Sequence, residues 1–207
     1  NIQANYQPIN NVVDDFFYLT DDRQTANASK KTLLHISCFD DAHKNISGIL
    51  HATKKLLQQR NDFQLVIVGT GPDFCSIEQL SKDLSIEHVV RFVGEQTPEQ
   101  VQQWFQQCEA FVFFSNYETA GVVLSESLAC GKPIISTPVG IAPDIIHPET
   151  GVLVEKNDIE GLCNAMAHML DHAQEYDSSL IRRYADAYSY EVVGKHLKHA
   201  YKKSLGL

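Results

Sequence analysis

The sequence predicts an α/β fold: a doubly wound parallel sheet of about six strands flanked by helices, with further helices after the last strand. Three observations carry that expectation. Short apolar runs alternate with amphipathic segments of helical length along most of the chain, the pattern that βαβ units leave in a sequence. Runs such as Leu65-Val66-Ile67-Val68 are continuously apolar rather than alternating, as parallel strands covered on both faces require. Gly and Pro punctuate the junctions, as at Gly69-Thr70-Gly71-Pro72 and Gly131-Lys132-Pro133, where helices stop and turns begin.

Taken in order, residues 1–31 are polar and irregular, and the regular pattern starts at Thr32. Apolar runs predict strands at 32–38, 63–68, 89–93, 110–114, 133–136 and 151–154. Amphipathic segments predict helices over 45–60, 74–84, 98–107 and 120–130, and a short one over 142–147. Helices over 158–171, 178–187 and 190–204 follow the sixth strand. Six such strands most simply take the order 3-2-1-4-5-6, which reverses between the first and the fourth. Ligands of such sheets bind at that crevice, beyond the carboxyl ends of the strands. Topology alone therefore brings the loop after strand one (Cys38 to Lys44) to the loop after strand four (Ser115 to Gly121).

Composition narrows the function. The chain has 207 residues, 43% of them hydrophobic, enough for one full core. Its formal net charge of −9 argues against nucleic acid or an anionic membrane as the main partner. An anionic ligand must be held by local groups. Five cysteines at 38, 75, 108, 130 and 163 show no Cys-x-x-Cys spacing and read as small core residues in a reducing compartment. No run of 18 apolar residues is present, so no spanning helix is expected. The chain starts at Asn1 without Met, which suggests a piece of a longer protein.

Two carboxylates carry most of the functional information. Glu118 lies in the strand-to-helix loop and Glu126 about two turns into the helix that follows. At 100° per residue Glu126 shares a face with Val122, Ala129 and Cys130; Leu124 and Leu128 cover the other side, so the helix is expected to be buried nearly all round. A carboxylate there needs partners. They are either neighbouring backbone amides or the hydroxyls of a ligand. Lys44 precedes Asn45 at an expected helix start. It is either a solvated lysine or, beside the amides of that first turn, a phosphate partner. Thr119, Ala120, Gly121 and Val122 are small or apolar, so the backbone there admits a close anion. Arg91 is either a ligand contact or an exposed strand residue. His168 and His172 share a helix face without a third ligand, which reads as a surface pair rather than a metal site. His196 and His199 read the same way.

The stretch Ser115 to Pro133, with Glu118 and Glu126 eight apart and Gly131-Lys132-Pro133 closing it, resembles the signature of the retaining glycosyltransferases of family 4. So do Lys44-Asn45, Gly69-x-Gly71-Pro72, Val90-x-Phe92-x-Gly94 and, more loosely, Asn11-Val12-Val13-Asp14. The family's phosphate-loop Arg has no counterpart among Cys38, Phe39, Asp40 and Asp41. In the loop Thr137 to Asp144 one family glycine is replaced by Ile141 and a glutamate by Asp144; with Gly140 it reads as crevice wall.

The resemblance implies a GT-B architecture of two Rossmann-like domains, of which this chain is the C-terminal, donor-binding one. Residues 1–31 would lead in from the other domain, 32–189 would bind the nucleotide-sugar, and 190–207 would pack back toward the absent N-terminal domain. The implied reaction is transfer of a hexosyl-type sugar from a nucleotide-diphosphate donor with retention of configuration. No obligatory cofactor or metal is implied. Glu118 and Lys44 would be catalytic, Glu118 on the sugar side and Lys44 on the phosphates. Glu126 would bind the ribose; Thr119, Ala120, Gly121, Val122, Gly94, Gly71 and Gly140 would surround the nucleotide. The acceptor, a glycan, a lipid-linked glycan or a small molecule, would sit mainly on the absent domain. A cytoplasmic place, or a peripheral one at the inner membrane face in the intact protein, and a part in cell-surface polysaccharide synthesis would follow. Two rival readings share the fold: a nucleotide-sugar epimerase and a non-catalytic nucleotide-binding module.

Overall fold

The computed structural model describes residues 8–18 and 30–205. Six parallel strands, β1 (Lys31–Ile36), β2 (Phe63–Val68), β3 (Val90–Gly94), β4 (Ala110–Phe113), β5 (Ile134–Ser136) and β6 (Gly151–Leu153), form one sheet in the order β3-β2-β1-β4-β5-β6. This is the order expected from the sequence, with its reversal between β1 and β4.

Strand alternation splits the core in two. Leu33, Leu65, Ile67, Val112 and Ile135 point to one face, where α2 (Ile46–Leu57), α3 (Phe74–Asp83) and α7 (Ile159–His172) pack. Leu34, Val66, Val68, Phe111, Phe113 and Ile134 point to the other, under α4 (Pro98–Gln107), α5 (Val122–Ala129), α6 (Ala142–Ile145) and α8 (Ser178–Ala185). Both faces are dry, as parallel strands need. Leu33, Leu34, Phe111 and Ile134 are all 0% exposed.

The expected helix over 45–60 is α2, and a short helix that the sequence did not signal, α1 (Asp41–Lys44), precedes it. Asn45 separates them in a left-handed conformation (φ 50°, ψ 45°), which Asn tolerates better than most residues. Its side chain then accepts the Gly48 amide and caps α2. Lys44 precedes the N-cap of α2, as expected, and is also the last residue of α1, a favourable place for a cation. The first strand stops at Ile36, short of the expected Cys38. Two of the five cysteines, Cys38 and Cys75, are exposed and not core residues as expected; Cys108, Cys130 and Cys163 are buried.

Residues 8–18 are less free than their composition suggests. Phe17, in a 3-10 helix over Asp15–Tyr18, is 3% exposed. Val13 is buried and its amide donates to the Tyr188 carbonyl at 2.9 Å. The Tyr18 hydroxyl donates to the Ala185 carbonyl at 2.8 Å, and Tyr190 hydrogen-bonds Asp14. The start of the chain thus closes onto the segment that leads into α9 (Tyr190–Ser204). Of α9 only Val193 is buried, whereas Tyr190, Leu197, Tyr201 and, just beyond, Leu205 are exposed.

Candidate functional site

An open cavity of about 440 Å³ lies at the carboxyl end of the sheet between β1 and β4. Its lining includes Lys44, Glu118, Thr119, Ala120, Gly121, Val122 and Glu126, together with Asn11, Ser37 and Cys38. Seven of the ten residues singled out in the sequence are therefore brought together at the reversal in strand order.

The loops that carry them are stitched to each other. Asn116 and Tyr117 donate their amides to the His43 carbonyl at 2.8 and 3.3 Å. The Asn116 side chain donates to the Ala42 carbonyl at 3.1 Å, and Lys156 donates to the Asn116 carbonyl at 2.8 Å. α1 is held in turn from the neighbouring loop, where the Asp73 carboxylate accepts the Asp41 amide at 2.8 Å.

Lys44 Nζ lies 2.5 Å from Glu118 Oε2, each side chain only 15% exposed. The other carboxylate oxygen of Glu118 accepts the Thr119 amide at 2.9 Å. Burial pushes the Glu118 carboxyl up, but the Lys44 hydrogen bond and charge and the Thr119 and Ala120 amides hold it below the usual carboxylate range. Among the described lining residues Lys44 is the one Lys or Arg, so no Arg stands in for the one missing from its loop. No side chain caps the start of α5 at Gly121, which leaves first-turn amides for an anion.

Glu126 differs from Glu118. Its carboxylate has no hydrogen-bond partner among the described residues, and burial, with the charge of Asp14 adding to it, pushes its pKa up to about 7. α5 is not buried all round: Val122, Val123 and Glu126 are half-buried and line the cavity, while Ala129 and Cys130 are covered. An ionisable group of raised pKa with unfilled hydrogen-bonding capacity in a cavity makes Glu126 a candidate ligand contact.

Gly71, Gly94 and Gly140 do not line the cavity. A Cβ on Gly71 would meet the Phe39 backbone nitrogen at 2.6 Å, so this glycine lets the turn after β2 press on the β1 loop. Gly140 (φ 55°) sits beneath the 118–121 loop, where a Cβ would lie 2.8 Å from the Ala120 carbonyl oxygen; the Ile141 amide donates to the same oxygen at 3.1 Å. The 137–144 loop thus supports the site from behind instead of forming its wall. The Gly94 carbonyl accepts the Gly69 amide at 2.8 Å at the far end of the sheet. Arg91 is exposed and its guanidinium lies 5.2 Å from the centre of the Trp104 ring. His168 and His172 stack at 4.6 Å. Among the described residues no group of three His, Cys, Asp or Glu is placed to hold a metal ion, and no helix is long and apolar enough to cross a membrane.

Neither Asn11, quoted above only as part of the loose match at 11–14, nor Ser37 was expected at the site. Asn11 reaches the cavity through the fold of 8–18, which no local pattern signals. Ser37 had one signal, a polar residue two places after His35 on an otherwise apolar strand.

Comparison with known proteins agrees with this architecture. The family described as Glycosyl transferases group 1 matches residues 19–185. The N-acetyl-alpha-D-glucosaminyl L-malate synthase of Bacillus anthracis is 34% identical over 171 residues, covering 79% of this chain and 44% of that protein. The chain thus spans less than half the length of that relative. Among solved structures, sucrose-phosphate synthase of Thermosynechococcus elongatus superposes with a TM-score of 0.78 at 26% identity, covering 87% of this chain and 47% of the other. HepE of Anabaena, in complex with UDP and glucose, superposes with a TM-score of 0.82 at 19% identity, covering 94% and 56%, a likeness of fold.

Proposed function

This chain belongs to the family Glycosyl transferases group 1, and from that membership and the cavity we propose that it is the donor-binding domain of a retaining, family 4 type glycosyltransferase. The observation that carries the reading is Glu126: a half-buried carboxylate without a hydrogen-bond partner among the described residues, in the same cavity as the Lys44–Glu118 pair. In this reading two vicinal ribose hydroxyls of a nucleotide-diphosphate sugar donate to Glu126. The diphosphate lies on the first-turn amides of α5 and beside Lys44. Thr119, Ala120, Gly121 and Val122 form the backbone surface it rests on. The transferred sugar faces Glu118. Gly71, Gly94 and Gly140 act at a distance, by fixing the loops that carry the site.

As the bond between the sugar's anomeric carbon and the diphosphate oxygen breaks, charge builds on the leaving diphosphate. Lys44 and the amides stabilise it where it develops. In the unliganded site Glu118 holds both Lys44 and the Thr119 amide, so the incoming phosphate takes over interactions that Glu118 makes beforehand. The acceptor is held mainly by a second domain outside these 207 residues, toward which the exposed side of α9 packs. The 44% coverage of the Bacillus anthracis relative supports this part, as does the open side of the cavity.

Calorimetric titration of the chain with UDP, GDP and ADP and with their sugar conjugates tests the reading. At least one nucleotide is expected to bind, and Glu126→Ala to weaken it by about 2–4 kcal/mol, the value of charge-assisted hydrogen bonds lost from a desolvated site. Binding that is unaltered by Glu126→Ala would remove the ribose assignment. Absence of binding by every nucleotide would remove the donor-domain reading.

A further inference from the structure

His35 is 0% exposed and has no role in the reading above. It sits near the carboxyl end of β1, with Nδ1 2.8 Å from the Val112 carbonyl oxygen on β4 and Nε2 2.8 Å from Ser37 Oγ. A carbonyl only accepts, so Nδ1 carries the hydrogen. Among the described residues no carboxylate hydrogen-bonds the ring, and burial, with Lys44 nearby adding to it, outweighs the Val112 carbonyl and the charge of Asp41 and lowers the His35 pKa to about 4. The ring is neutral, Nε2 is a lone pair, and the Ser37 hydroxyl must donate to it.

That fixes the hydroxyl in one sense. Ser37 lines the cavity, and its Oγ has no other hydrogen bond among the described residues. Its backbone is pinned: the Ser37 amide donates to the Val68 carbonyl at 3.1 Å, and Gly69 approaches so closely that a Cβ there would lie 1.9 Å from the Ser37 carbonyl oxygen. With its hydrogen committed, Oγ has only lone pairs left for the cavity. It repels an oxygen that only accepts, such as an ionised phosphate oxygen, and attracts a hydroxyl or an N–H.

We propose that Ser37 is a specificity-determining residue of the cavity, a fixed hydrogen-bond acceptor set by the buried ring of His35, which reads a hydroxyl or N–H of the nucleotide-sugar and disfavours phosphate at that point. The inference rests on the donor-domain reading and deepens it. Lys44 and the α5 amides handle the anion, while Ser37 joins Glu126 as an acceptor for the uncharged part of the ligand.

Two measurements test it. Long-range 15N NMR on the unliganded chain, with the His35 signal identified by its loss in His35→Asn, is expected to show the neutral Nδ1–H tautomer at pH 7. An Nε2–H tautomer or a cation would overturn the proposal whatever the chain binds. Calorimetry then compares wild type, Ser37→Ala and His35→Asn with pyrophosphate, UDP, its 2′-deoxy and 3′-deoxy forms, and UDP-glucose. Ser37→Ala is expected to weaken one hydroxyl-bearing or base-bearing probe by roughly two- to tenfold, the worth of one neutral hydrogen bond, and to leave pyrophosphate unchanged or tighter. If the partner is a ribose hydroxyl, the matching deoxy analogue is already weaker in wild type and loses nothing further in Ser37→Ala. If it is a sugar hydroxyl, the loss appears with UDP-glucose and not with UDP. If it is a base N–H, all three UDP forms lose equally.

His35→Asn keeps an N–H for the Val112 carbonyl but removes the acceptor for Ser37. It is expected to raise pyrophosphate affinity relative to UDP, which a loss of packing alone would not do. Equal losses for pyrophosphate and UDP, or no change with any probe in Ser37→Ala, would overturn the inference while leaving the donor-domain reading standing. Wild type that binds none of these probes, nor GDP or ADP, would overturn both.

Discussion

Lys44 and Glu118, 74 residues apart in the chain, meet at 2.5 Å in a cleft that leaves each side chain only 15% exposed. The carboxylate occupies the cation and the Thr119 amide that an incoming diphosphate would use. Glu118 therefore acts in the unliganded site as a resident anion. It neutralises Lys44 at little cost in charge, and it competes with the ligand.

Replacing that anion by an isostere should reveal the competition. In Glu118→Gln the amide keeps the shape but not the charge, and Lys44 is released. Affinity for pyrophosphate and for nucleoside diphosphates is expected to rise by roughly three- to tenfold, about 0.7–1.4 kcal/mol for a partly screened charge. Affinity for the bare nucleoside should barely change. In the intact protein the same substitution should lower turnover strongly, measured with radiolabelled donor and matched acceptors. Weaker diphosphate binding by Glu118→Gln would show that the two anions do not compete.

Lys44→Ala should act in the opposite direction. It removes a phosphate partner and leaves Glu118 buried without its cation. The loss should be greater for a nucleoside diphosphate than for the nucleoside, and should shrink as salt is raised from 0.05 to about 0.5 M, because screening weakens the contact in wild type. Calorimetry at two salt concentrations checks this. Equal losses for both ligands would take Lys44 out of the phosphate site.

Glu126 gives the fold a pH dependence of predictable sign. An ordinary carboxyl titrates near 4.5, whereas in the folded chain burial, with Asp14 adding to it, raises Glu126 to about 7. Between these values the folded form binds a proton that the unfolded form has lost. Stability from this group is full below about 4.5, falls as pH rises through 7, and is level above. Glu126→Gln should remove the slope and become more stable than wild type by about 1–3 kcal/mol at pH 8, with no difference at pH 4.5. Thermal melts across that range check it; parallel melting curves at all pH values would contradict it. A ligand whose hydroxyls donate to the carboxylate should release a proton on binding near pH 7, read by calorimetry in buffers of different ionisation enthalpy.

Gly140→Ala should disturb the site without touching the cavity. Its φ of 55° and the Ala120 carbonyl 2.8 Å from a built Cβ mean that the 118–121 loop must shift or the backbone strain. The expected loss is about 1–3 kcal/mol of stability together with weaker diphosphate binding. Urea unfolding and calorimetry on one variant separate the two effects. An unchanged Cm with unchanged affinity would show that the loop has slack.

The regular elements were legible because their signals are local. The strand at 63–68 and the helices over 98–107 and 190–204 are found at the residues the patterns gave, and the strand order followed from alternation alone. The convergence of Lys44 and Glu118 was legible too, since strand order fixes which loops meet. What escaped was long-range or stereochemical. The short helix α1 ahead of Asn45 escaped because four residues are too few to show a period. The ion pair depends on side-chain reach across the crevice. Asn11 arrives through packing of Val13 and Phe17 against distant residues, and Ser37 becomes informative only when the ring of His35 is seen to take its hydrogen.

The closure of residues 8–18 onto the segment before α9 has a mechanical consequence. The Val13–Tyr188, Tyr18–Ala185 and Asp14–Tyr190 contacts clamp the two ends of the unit at one corner. A pull applied to either end loads those contacts before it reaches the sheet. Tension carried along the polypeptide therefore meets the 8–18 and 185–190 contacts ahead of the strands that frame the crevice.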